Sequence, residues 1–142
     1  MTLSLVDRAF RILSDEAAVV SGRVRCWHCR ATIEVICIYC QSGFVDGEVM
    51  LDFSVSNVTA IDEALRLRLA RWPKYHPVRG RRAEHASFAN HCPSCEKPQD
   101  EFYLHYQPGG IFFSFQDPAA QELQIHALVG LVRLSGDEGF EP

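Results

Sequence analysis

Apolar and polar positions alternate in several different rhythms along this chain of 142 residues. Leu3, Val6, Phe10 and Leu13 recur at spacings of three and four, which predicts a short helix over residues 3 to 13. Ser21-Gly22 signals a turn. Residues 31 to 39, ATIEVICIY, are rich in β-branched side chains and predict a strand. Both faces of that strand carry apolar groups, so it is expected to be central. Gln41-Ser42-Gly43 reads as a turn. Val49, Leu51, Phe53 and Val55 then alternate with Met50, Asp52 and Ser54, which predicts a second strand.

The clearest helix comes next. Thr59 reads as its N-cap, with Asp62 as a variant of the capping box. Val58, Ile61, Leu65, Leu69 and Trp72 form an apolar stripe, and Asp62 and Arg66 make a favourable i,i+4 pair. Pro73 ends the helix near Arg71. Residues 73 to 90, with two prolines, a glycine and several arginines, read as a long loop. Residues 101–106 and 111–115 read as strands of a hairpin turned by Gln107-Pro108-Gly109-Gly110. Its aromatic run, FYLHY and IFFSF, is expected to be core. Asp117-Pro118 can start a short helical turn, and residues 123 to 134 favour strand. The acidic tail from Gly136 reads as frayed. The pattern predicts one α+β domain over residues 1 to 142, a mainly antiparallel sheet with one packed helix.

Composition agrees with a folded domain, being 47% hydrophobic with nine Phe. No apolar run approaches the ~20 residues of a membrane span. Asp7, Arg8 and Arg11 interrupt the first apolar stretch, so no secretory signal is expected. A cytoplasmic chain follows as the expectation, with no membrane partner. The net charge of −4 argues against a surface that binds nucleic acid all over. The average hides a segment, however. Arg66, Arg68, Arg71, Lys74, Arg79, Arg81 and Arg82 make up half of the fourteen Lys and Arg, with no Asp or Glu among residues 66 to 82. Trp72, Tyr75 and His76 are interleaved, a mixture that suits phosphate contact and base stacking. A docking site for an acidic protein and a plain solvated surface are the competing readings.

All six cysteines fall in CxxC pairs: Cys26/Cys29, Cys37/Cys40 and Cys92/Cys95. In a reducing compartment such pairs are metal ligands more often than disulfides. Four thiolates bind Zn²⁺ when two CxxC turns face each other. Joining Cys26/Cys29 to Cys37/Cys40 is disfavoured, because the seven residues between them hold no turn former and span about 23 Å as a strand. Joining Cys26/Cys29 to Cys92/Cys95 leaves 62 residues between the pairs, with a structured insert over about residues 41 to 90 to bring the ends together. This tetrad is preferred. Cys37 and Cys40 have opposite parity in a strand; they are either buried thiols or half of a second metal site completed by His28, His85 or His91.

CWHC also invites a thiol-redox reading, but that chemistry wants its first Cys at a helix N-terminus, and a β-rich run follows here. A catalytic zinc wants an open position and a carboxylate base, and no HExxH or His-x-Glu before PCxxC is present. An enzyme is therefore not expected.

CWHC, NHCPSC, the Gln99-Asp100-Glu101-Phe102 stretch and PGGIFF together resemble a group of small bacterial zinc-ribbon proteins with a CWxC…NxCPxC arrangement. The likeness covers about residues 24 to 115 and is most specific over 90 to 113. It implies a zinc-ribbon-like fold with Cys26, Cys29, Cys92 and Cys95 as the zinc ligands, Cys37 and Cys40 being an addition. It also implies an accessory-genome origin and brings no activity with it. A non-enzymatic structural-zinc protein follows as the expectation. It would act as an adaptor or inhibitor of a host or defence complex, with DNA or RNA as the alternative partner.

Overall fold

The computed structural model describes residues 10–78, 86–106, 110–112 and 123–138. Three strands of fourteen residues dominate them: β1 (Ile12–Arg25), β2 (Thr32–Val45) and β3 (Glu48–Ile61). Two short strands, β4 (Tyr75–Pro77) and β5 (Phe88–Asn90), form a separate hairpin. The chain ends on β6 (Gln124–Leu128) and β7 (Val132–Glu138). Every pairing is antiparallel, and the order is β2-β3-β7-β1-β6. β1 pairs with β2 as well, so β1, β2, β3 and β7 close on themselves. The mainly antiparallel sheet expected from the sequence is therefore present, but curled into a small barrel.

The strand ATIEVICIY is found inside β2, and its two apolar faces have separate uses. Ile36, Ile38 and Cys40 point into the barrel with Val19, Phe53, Val55, Val58, Leu65 and Leu134. Ile33, Val35 and Cys37 face the other way, into a second cluster with Val20, Leu104 and Phe112. That cluster also takes in Cys26 and Cys92. β2 also pairs with β1 on one side and, from Ile38 onward, with β3 on the other, so the strand is central as expected.

Several expectations are corrected. Ile12 and Leu13 belong to β1 and not to a helix; they pair with β2 and β7, and such ladders override a local helical period. Residues 3 to 9 lie outside the described residues. Ser21-Gly22 lies within β1, and Gln41-Ser42-Gly43 continues β2. Gly43 is a close-approach glycine, not a turn: a Cβ there would come within 2.7 Å of the Leu13 carbonyl oxygen. The chain reverses instead at Asp46-Gly47, where φ is 51° and 85°. Two positive φ values in a two-residue loop are what a type I′ hairpin needs.

The helix α1 (Glu63–Leu69) starts later than expected. Asp62, not Thr59, is its N-cap, its carboxylate accepting from the Leu65 N–H at 2.9 Å. Val58 and Thr59 remain in β3, whose ladder to β7 runs on through Ile61. Asp62 pairs with Arg133 rather than Arg66, and Arg66 pairs with Glu63. Leu65 and Leu69 seat α1 on the barrel.

Residues 101–105 form a second helix, α2 (Glu101–His105), where a hairpin strand was expected. Asp100 and Glu101 supply acidic groups at its start, which favours a helical turn over the alternating aromatic signal. Ile111 and Phe112 form a turn; residues 107–109 and 113–122, including Asp117-Pro118, lie outside the described residues. The expected loop over 73 to 90 contains β4 and β5. Residues 123 to 134 are strand as expected, apart from the break around Gly130. The tail is ordered in β7 through Glu138.

Candidate metal centre

The two outer CxxC pairs have the same local geometry. In the first turn the Cys26 N–H donates to Ala31 O at 2.8 Å, and the Arg30 N–H donates to Cys26 O at 3.0 Å. In the second, the Cys92 N–H donates to Lys97 O at 3.0 Å, and the Glu96 N–H donates to Cys92 O at 2.8 Å. Arg30 and Glu96 both take a positive φ, 69° and 64°, which turns each chain back after its second cysteine. The N–H groups of His28 and Ser94 point at the Cys26 and Cys92 sulfurs, each at 3.4 Å. Each sequence is thus wound around its own thiols.

The two turns meet face to face. Cys26 Sγ lies 3.6 Å from Cys95 Sγ, and Cys29 Sγ lies 3.5 Å from Cys92 Sγ. All four sulfurs fall within 4.8 Å of one another, and the group can hold a metal ion. The edge of a sulfur tetrahedron with ~2.3 Å metal–sulfur bonds is ~3.8 Å, so little movement is needed to fit one. Cys26 and Cys92 are fully buried, Cys95 is half-buried and Cys29 is exposed. Metal would enter from the Cys29 side.

Electrostatics point the same way. Burial pushes the Cys26 thiol up, but the Cys29 and His28 N–H groups and the Gln99 amide donate to its sulfur and hold it at about 6. Cys92 is also lowered, chiefly by the Cys95 N–H, against burial. In Cys29 the Ala31 N–H favours the thiolate, but burial and the nearby Cys92 and Cys26 outweigh it and the thiol is raised. In Cys95 the Lys97 N–H is likewise outweighed by burial and the neighbouring sulfurs, and the thiol is pushed up to about 12. Neighbouring N–H groups thus favour the thiolate at Cys26 and Cys92, while Cys29 and Cys95 are raised. Four sulfur donors are the set that suits a soft or borderline metal.

Side chains other than the four cysteines brace the site. Gln99 is buried and its amide donates to Cys26 Sγ at 3.4 Å. Trp27 Nε1 donates to Pro98 O at 2.9 Å, linking one turn to the other. Asn90 is buried beside β2; its Oδ1 accepts from the Ile36 N–H at 2.8 Å and its Nδ2 donates to Ile36 O at 2.9 Å. It fills the β2 edge at the level where β3 no longer pairs with it. Sequence reasoning passed over Gln99 and Asn90. The Asn of NHCPSC was a signal, but its partner is 54 residues away.

The other predicted residues are distributed as follows. Cys37 and Cys40 lie on opposite faces of β2 in different apolar clusters, and both thiols are raised by burial, Cys40 to about 12. Among the described residues neither joins a group of three or more converging ligands. His91 stacks on His76 with ring centroids 3.7 Å apart, its Nδ1 against the Ala89 and Lys74 carbonyls. His28 packs edge-on against Trp27. His85 lies outside the described residues, as do Arg79, Arg81 and Arg82. Of the remaining cations, Arg66 pairs with Glu63 and Lys74 with Glu96. Arg68 donates to Val129 O, and Arg71 lies over the Trp72 ring. Local partners thus occupy all four.

An open groove of about 850 Å³ runs beside the two turns, with Trp27, Pro98, Tyr103 and Leu104 along it. Trp27 and Tyr103 are 59% and 60% exposed, unusual for large aromatic side chains with no role in the core. No helix among the described residues is long and apolar enough to cross a membrane. No protein family, curated protein or solved structure matches the chain.

Proposed function

We propose that this chain is a non-enzymatic, zinc-stabilised binding module that serves as an adaptor or inhibitor by docking a protein partner. The observation that carries the reading is the convergence of Cys26, Cys29, Cys92 and Cys95 at one end of the barrel. Zn²⁺ suits four thiolates arranged in this way, and a closed thiolate set leaves no position for a substrate. The ion would hold together the two turns that flank the groove, and so keep Trp27 and Tyr103 in place. Exposed aromatic side chains on a rigid frame are the usual anchors of a protein interface. The sequence likeness to small zinc-ribbon proteins of accessory genomes suggests a host or defence complex as the target.

The alternative, DNA or RNA bound along residues 66 to 82, is weakened by the local partners of Arg66, Arg68, Arg71 and Lys74. Affinity capture from the native host with wild-type chain and with a Trp27→Ala/Tyr103→Ala double variant separates the two. A protein retained at 0.5 M salt (roughly a 4 Å screening length) by the wild type and lost by the double variant is the expected result. Retention of nucleic acid alone, released by salt, would reverse the choice.

A further inference from the structure

Strand β6 is the last in the sheet order, and among the described residues it pairs with β1 alone. Its other side therefore presents a row of backbone N–H and C=O groups, a template for one more strand. A lysine, a proline or a bulge commonly blunts such an edge. The sequence QIHAL has no charged residue and no proline, and its register against β1 is unbroken from Ser21 opposite Gln124 to Ala17 opposite Leu128.

The two faces beside this edge differ. Leu128 points into the barrel, and His126, two residues away on the same face, meets the Trp72 ring edge-on with 5.1 Å between centroids. Arg68 of α1 donates to the Val129 carbonyl oxygen at 2.7 Å. These two contacts lay the end of α1 and the turn after it along β6. On the opposite face Ile125 is 57% exposed, and Ala127 is exposed too.

Charge decides what fits there. Arg68 and Arg71 are both exposed, and among the described residues neither has an acidic partner. Arg68 rests on a carbonyl and Arg71 on the Trp72 ring, and neither contact neutralises a guanidinium. Side chains of an added strand alternate between the two faces. Those on the His126 side would reach the arginines, and those on the other side would cover Ile125. The edge itself selects the class of partner, because N–H and C=O groups in alternation match a polypeptide main chain and not a phosphate backbone.

We propose that β6 is the docking edge for an extended acidic segment of a partner protein, one in which acidic and apolar residues alternate. The segment adds as a strand, with main-chain hydrogen bonds giving affinity and the alternating side chains giving selection. None of these residues lines the groove beside the cysteines, so the inference does not rest on the docking proposed there.

The probe is a short synthetic peptide of alternating Glu and Val, added to the full chain loaded with Zn²⁺, with amide shifts and hydrogen exchange followed by NMR. Binding is expected to shift and protect the amides of β6. Arg68→Gln/Arg71→Gln should weaken it roughly fivefold, as two exposed ion pairs are lost. Trp27→Ala/Tyr103→Ala should leave it unchanged. The same peptide with every backbone nitrogen methylated should not bind, and this arm needs no variant to fold. Binding of the methylated peptide, equal binding of a peptide of alternating Lys and Val, or no binding by about 1 mM overturns the proposal. Slow exchange of every β6 amide before peptide is added also overturns it, since the edge is then already covered, by a second copy if the protection grows with protein concentration. Stronger shifts of the same amides with oligothymidylate would give the edge to nucleic acid and overturn it as well.

Discussion

Asn90 shows how much can rest on one side chain. Its amide occupies the place of a neighbouring strand, satisfying both backbone groups of Ile36 in a buried setting. Asn90→Ala should leave an N–H and a C=O without partners and destabilise the zinc-loaded protein by at least about 2 kcal/mol. Urea unfolding of the two proteins, both saturated with metal, measures it; a difference under about 0.5 kcal/mol would mean that water replaces the amide. At this scale the cysteines were readable, because a CxxC turn carries its own geometry and four thiols need one another. Asn90 and Gln99 were not, because their partners, Ile36 and Cys26, are 54 and 73 residues away.

At the scale of elements, the Asp-Gly pair at Asp46-Gly47 is a hairpin signal that sequence reasoning passed over. Gln41-Ser42-Gly43 competed with it as a turn signal, and only the closeness of Leu13 O explains the glycine at position 43. Gly47 has φ 85°, so Gly47→Ala should cost roughly 1 kcal/mol, read as a lowered denaturant midpoint with an unchanged slope. The same turn has a pH-dependent brace. Arg11 donates to the Asp46 carboxylate, and this hydrogen bond holds the carboxyl below its ordinary value. A folded-state value below the unfolded ~3.9 means a stabilisation present above that value and lost as pH falls through the folded one. Thermal unfolding of wild type and Asp46→Asn should therefore differ at pH 6 and converge in acid. A gap that persists at pH 2 would show the contact is not ionic. Helix boundaries were misread for a related reason. Val58 and Ile61 fit a helical stripe, yet β7 claims Ile61 for a ladder and the barrel interior claims Val58.

At the scale of the molecule, the stretch between the two CxxC pairs supplies two of the four strands that close the barrel. The 62 residues between the two CxxC pairs include β2, β3, α1, β4 and β5, and the site forms where the chain leaves β1 and where it leaves the β4–β5 hairpin. If the four thiols, all within 4.8 Å of one another, hold an ion as proposed, its removal takes away the link between the two turns. Chelation is therefore expected to lower the midpoint of thermal unfolding, with recovery on adding Zn²⁺ at pH 7. If stripped and loaded protein melt together, the ion has no structural role.

Hydrophobic alternation and thiol spacing were enough to establish a mainly antiparallel sheet and a four-cysteine centre. Both follow from local periods and from ligand chemistry, which a sequence carries directly. Barrel closure, the helical state of residues 101–105 and the two apolar faces of β2 were decided by tertiary structure. The physical reason is that each depends on what lies across space. β1 is shared among β2, β6 and β7, α2 turns Leu104 inward, and Cys37 and Cys40 are separated by the strand that carries them.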